Sequence, residues 1–79
     1  MTNLVEVIAK SLVDEPKRVS VSQEEASQGN IIKLKVAPND MGKVIGKQGR
    51  IAKALRTVVK AAAIRRNEKV TVEIESIED

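Results

Sequence analysis

Val44-Ile45-Gly46-Lys47-Gln48-Gly49-Arg50-Ile51 constrains this chain more than any other stretch. Two glycines enclose two polar residues, with a short helical pattern before them (residues 41–45) and a long one after (about Arg50 to Arg66). Glycine is needed where a chain turns tightly, and where a ligand's backbone must come close with no Cβ in the way. The second helix starts directly after the loop, so its free N–H groups and positive dipole end face the same space. Lys47 and Arg50 add full charges there. Together these features describe a short phosphate cradle. A bare G-x-x-G is common; its weight here comes from the preceding Val-Ile and from the helices on either side. A plain helix–helix turn would need neither two glycines nor an acid-free surround. No G-x-x-x-x-G-K-[ST] occurs, so nucleotide hydrolysis at a P-loop is excluded.

The remaining patterns supply the frame. Residues 3–13 predict a helix, with Asn3 as N-cap, Glu6 completing a capping box, and Leu4, Ile8 and Leu12 as an apolar stripe beside Val5. Asp14-Glu15-Pro16 ends it. Residues 18–23 alternate as a half-buried strand with Val19 and Val21 inward, and 24–30 predict a hairpin loop ending in Gly29-Asn30. A second strand over 31–37 turns Ile32, Leu34 and Val36 inward and Lys33 and Lys35 outward. Pro38-Asn39-Asp40 closes it, with Asp40 or Asn39 placed to cap the next helix, where Gly42 would permit close packing. A last strand over 69–75 turns Val70, Val72 and Ile74 inward.

The order αββααβ predicts an α+β fold: a three-stranded mixed sheet with the helices packed on one face. The second and third strands join through helices, so they should be parallel with a right-handed crossover. That pairing would set Lys33 and Lys35 beside Glu73 and Glu75. On the long helix, Ile51, Leu55, Val58 and Ala62 read as the core face with Val59 at its edge, and Lys53, Arg56 and Lys60 as the opposite face. Ile64 falls on the polar side, and Ala61 and Ala63 widen the apolar surface near it. Val58, Ala62 and Ile64 are therefore candidates for a dimer or partner interface, against the plainer reading of a single exposed apolar residue.

Composition then removes whole classes of function. The 79 residues allow one domain, expected over 1–79 with its core at about 3–75. There is no Cys and no His, so thiol nucleophiles, imidazole bases, disulfides and Cys or His metal ligation are ruled out. No enzyme, metal or cofactor is expected. There is no Phe, Tyr or Trp, which excludes nucleic-acid binding on aromatic stacking platforms. No apolar run approaches the ~20 residues of a membrane span, and Met1-Thr2-Asn3-Leu4 lacks the basic start of a signal peptide. A cytoplasmic chain with no membrane insertion is expected. Eight of the 14 basic residues lie between Met41 and Asn67, a stretch without a single acid. The other six share the rest of the chain with all 11 acids. An acid-free basic segment in an acidic frame is the footprint of a polyanion site.

The octet and the order of elements resemble a type II KH domain over about residues 3–75. The resemblance implies that Gly46, Lys47, Gln48 and Gly49 clamp the backbone of about four single-stranded nucleotides. It implies that Ile45 belongs to an apolar groove floor, that Lys47 and Arg50 meet phosphates, and that Lys43 and Lys53 flank them. The groove's walls would be the helix–loop–helix unit at about 41–58 and the central strand, 31–37, with the hairpin loop 24–30. A free-standing domain of this kind is similar to the KhpA family of small bacterial KH proteins. That family implies a cytoplasmic single-stranded RNA binder that forms homodimers or pairs with a KhpB-type KH protein. It also implies an RNA chaperone or post-transcriptional regulator in cell elongation and envelope growth. Two other readings stand beside it: a dimerisation module with an idle groove, and a ribosome-associated assembly factor.

Overall fold

The computed structural model describes residues 1–77, so the last two of the expected span 1–79 lie outside the described residues. Alternating side chains build the sheet. Strands β1 (Ser20–Ala26) and β2 (Gly29–Val36) pair antiparallel. Strand β3 (Val70–Ser76) lies on the other side of β2 and parallel to it, giving the order β1-β2-β3. Lys33 stands opposite Glu73 and Lys35 opposite Glu75, as the outward pattern predicts. Lys33 also reaches diagonally across the hairpin, with Nζ 3.4 Å from Glu24 Oε2. The inward residues Ile32, Leu34 and Val36 of β2 are fully buried.

Helices α1 (Thr2–Leu12), α2 (Met41–Ile45) and α3 (Arg50–Arg65) cover that face. Val5 and Ala9 of α1, Val44 of α2, and Leu55 and Val59 of α3 meet β2 and Val72 of β3 in one aliphatic core. The fold is the expected α+β arrangement of the type II KH topology, αββααβ with helices on one face. Among the described residues no helix is long and apolar enough to cross a membrane.

Several local expectations change. Helix α1 begins at Thr2 with Met1 at the cap position and no side-chain capping bond, so Asn3 is inside the helix. Glu6 pairs instead with Lys10 one turn on, at 2.7 Å. Val5 and Ala9 face the core, while Leu4, Ile8 and Leu12 are half-buried on its flank. The hairpin loop shrinks to Ser27 and Gln28: Glu24, Glu25 and Ala26 pair with Ile31, Asn30 and Gly29. A ladder satisfies the backbone of polar residues as well as apolar ones, and charged side chains suit a sheet edge. Gly29 supplies the positive φ, 121°. In α3 the buried residues are Ala52, Leu55, Val59 and Ala63; Val58 is 46% exposed, and Ile51 and Ala62 are half-buried. Gly42 packs against nothing, since an added Cβ would meet no atom within 4 Å.

Candidate nucleic-acid interface

Helix α2 stops because Gly46 leaves the helical region, at φ 77° and ψ 171°, after its N–H closes the last turn onto the Gly42 carbonyl at 2.9 Å. Lys47–Gly49 form one 3₁₀ turn, closed by Gly49 N–H donating to the Gly46 carbonyl at 3.1 Å. Gln48 sits at φ 59° and Gly49 at φ 75°, both left-handed. A left-handed glutamine is uncommon and strained, and such strain concentrates where a loop holds a fixed shape for a ligand. Gly49 is also the N-cap residue of α3, and having no side chain it gives the helix no capping bond. The first α3 amides therefore face the loop without a side-chain partner, the arrangement that favours an anion.

The sequence-predicted residues are brought together to different degrees. Gly46, Lys47, Gln48, Gly49 and Arg50 form the continuous loop, with Lys47, Gln48 and Arg50 exposed. Arg50 Nη2 donates to Gln48 Oε1 at 3.4 Å, which ties the guanidinium to the loop. Ile45 is half-buried just before it, and exposed Lys53 lies one turn into α3. Lys43 differs. Its ammonium bonds to Asp14 and stands 4.0 Å from Asp40 Oδ1. The hydrogen bond to Asp14, followed by the charges of Asp14 and Asp40, holds Lys43 above the ordinary lysine range. Its charge is answered within the protein.

The inward side chains of the central strand are fully covered by the helices, so of that expected wall the hairpin loop is the part left open. An open concavity of about 430 Å³ lies between α3 and the edge strand β3. Arg56, Lys60 and Ile64 line it from the helix, Val70 and Val72 from the strand, Glu68 and Lys69 from the turn between them and Gln28 from the hairpin loop, while none of Gly46–Gly49 does. Arg56 Nε donates to the Val72 carbonyl at 3.4 Å, spanning the gap. The sequence places Arg56 and Lys60 with Lys53 on one polar face of the helix, the alternative RNA site should the loop not carry binding. Ile64, 67% exposed, belongs to this rim. At 3.6 residues per turn it lies about 120° around α3 from Val58 and nearly opposite Ala62. Val58 and Ala62 share the other flank, so the three candidate partner residues do not form one patch.

The family model described as KhpA/KhpB, KH domain, matches residues 2–74. The chain is 66% identical to the RNA-binding protein KhpA of Clostridium perfringens over 74 residues, covering 94% of this chain and 99% of that protein. It is 65% identical, with the same coverage, to the RNA-binding protein KhpA of Clostridium acetobutylicum. It is 47% identical to that of Listeria monocytogenes, covering 94% of this chain and 97% of the relative. No solved structure matches the chain. A G-x-x-G loop between two helices of an αββααβ chain, matched by this family along nearly its whole length, places the chain in the KhpA/KhpB KH-domain family.

Proposed function

We propose that this chain binds single-stranded RNA, with Gly46–Gly49 against the backbone of a few nucleotides and the strand running along α3 towards the cavity beside β3, which Arg56, Lys60 and Glu68 line together with Ile64, Val70 and Val72. The observation that carries the reading is Gly49: its φ is +75°, and a Cβ there would meet nothing within 4 Å. The left-handed backbone there favours glycine, and the open space in front of it, at the mouth of an uncapped helix, leaves room for a phosphate. Lys47, Arg50 and Lys53 supply charge beside it, and Ile45 supplies apolar surface. The relatives' designation as RNA-binding proteins supports RNA as the polymer.

One such loop contacts few nucleotides, so a single domain binds weakly. Two linked domains gain from effective concentration. We read the Val58 and Ala62 flank of α3 as the contact for a second copy or for a KhpB-type partner. The family resemblance extends the reading to a cytoplasmic RNA chaperone or post-transcriptional regulator acting in cell elongation and envelope growth. An enzymatic role is not part of it.

The test is a titration of dye-labelled single-stranded RNA against the native chain and the double substitution Lys47→Asp, Gln48→Asp. Circular dichroism first establishes that both are folded. Loss of binding in the folded variant is the expected result. Unchanged binding would move the site away from the loop, towards Arg56 and Lys60.

A further inference from the structure

Among the described residues, Asp40 carries the one charged side chain that is fully buried. It occupies the N-cap position of α2 yet makes no capping bond to that helix. Its oxygens reach instead to the turn after α1: Oδ1 accepts from the Asp14 N–H and Oδ2 from the Glu15 N–H, each at 3.1 Å. Lys43, three residues along α2, bonds to the Asp14 carboxylate and so bridges the same two segments. A carboxylate out of water is tolerated only when hydrogen-bonded and paired, so both segments are held in one relative position. That matters because α2 has only five residues and one buried side chain, Val44. A helix so short does not hold itself together without tertiary contacts. Its C-terminal residue, Ile45, leads straight into Gly46.

We propose that Asp40 is a positioning residue for the Gly46–Gly49 loop, latching α2 to the turn after α1, with Asp14 and Lys43 as the outer part of the latch. The proposal rests on the loop being the RNA site. In it Lys43 serves the placement of α2 and not a phosphate.

Asp40→Asn keeps the side chain's shape but replaces one acceptor oxygen with a donor, so one of the two amides loses its bond. A mixed-sequence, dye-labelled single-stranded RNA is titrated into the native chain, Asp40→Asn and Lys43→Gln at several salt concentrations. Amide hydrogen exchange is followed by NMR on each free protein. Asp40→Asn is expected to weaken RNA binding about tenfold, the effect of a lost hydrogen bond to a charged group. Its salt slope should not change, because no phosphate contact is removed. The Gly46 and Gly49 amides should exchange faster while Ile32 and Leu34 in the central strand keep their protection. A merely structural role would speed exchange everywhere. Native affinity with unaltered loop exchange would overturn the proposal. A salt slope that falls by about 0.7 in Lys43→Gln would make Lys43 a phosphate ligand and overturn its part in the latch. If the native chain binds no RNA, the functional reading fails alone, and loop exchange in the variants still decides the latch. If Asp40→Asn does not fold, Asp14→Asn replaces it: weaker binding supports the latch. Stronger binding, the result of merely removing a negative charge, overturns it.

Discussion

A Cβ added at Gly46 would lie 2.6 Å from Ile51 Cγ1 and 2.8 Å from its Cβ, whereas one at Gly49 would meet nothing within 4 Å. Both glycines have φ near +75°, but Gly49 at ψ 14° is left-handed, where a side chain costs about 1–2 kcal/mol, while Gly46 at ψ 171° lies in a region open essentially to glycine alone, where the cost is about 1–3 kcal/mol. Gly46 adds a clash as well, against the branch point of a side chain held at the start of α3. Gly49→Ala should therefore cost about 1 kcal/mol, and Gly46→Ala at least about twice that. Urea unfolding followed by circular dichroism compares them; equal losses would mean that Ile51 yields without cost. Sequence alone assigned both glycines to one cradle. It could not separate them, because the distinction depends on where Ile51 lands after the turn. The same limit hid Lys43, which the sequence places beside the loop and the structure ties to Asp14. Its raised pKa means that this contribution to stability is complete below the ordinary lysine value, about 10.4, and is lost only as pH climbs through the higher folded value. The bond therefore brings no pH dependence near neutrality.

At the scale of elements, α3 shows what periodicity conveys and where it misleads. Its existence and start at Arg50 follow from the apolar repeat and the glycine before it, and its end at Arg65 lies one residue from the expected one. Its orientation does not follow. A reading weighted by large aliphatics centres the buried face on Ile51, Leu55, Val58 and Ala62. The structure centres it on Val59, with Ala52 and Ala63 turned inward. Alanines allow close approach to the sheet, and that gain depends on the partner surface. The difference is measurable. Val59, 1% exposed, should lose about 2 kcal/mol of stability on change to Ala, while Val58, 46% exposed, should lose under about 0.5 kcal/mol. Val58→Asp then asks a separate question. It should leave the monomer folded and, if the Val58 and Ala62 flank joins two copies, shift the sedimentation coefficient towards the monomer. A Val58→Ala loss as large as that of Val59→Ala would place Val58 in the core after all. The hairpin carries a related lesson: Glu24 and Glu25 read as loop because they are polar, yet they pair in an edge strand where polarity is no obstacle.

Over the whole molecule, the acid-free segment from Met41 to Asn67 resolves into charges with different duties. Lys43 is answered by Asp14, and Arg56 leans onto the Val72 carbonyl. Lys47, Arg50 and Lys53 remain around the loop, and among the described residues none of them forms an ion pair with a carboxylate. The opposite face of the sheet carries Lys33 and Lys35 beside Glu73 and Glu75. The loop was legible as a candidate site because its chemistry is local. The cavity was not, because it exists only where β3 becomes a sheet edge beneath α3, a fact of topology. If binding is local, charge at the loop must matter more than net charge. Three phosphate contacts would give a log–log salt slope of about −2 for a single strand. Lys47→Gln should reduce its magnitude by about 0.7, the share of one contact. Lys35→Gln removes the same charge from the outer sheet face and should leave the slope unaltered. Affinity for dye-labelled RNA over a potassium chloride series reads both. Equal changes in the two variants would mean that RNA responds to the molecule's overall field. A change confined to Lys47→Gln would tie the electrostatic attraction to the loop between α2 and α3.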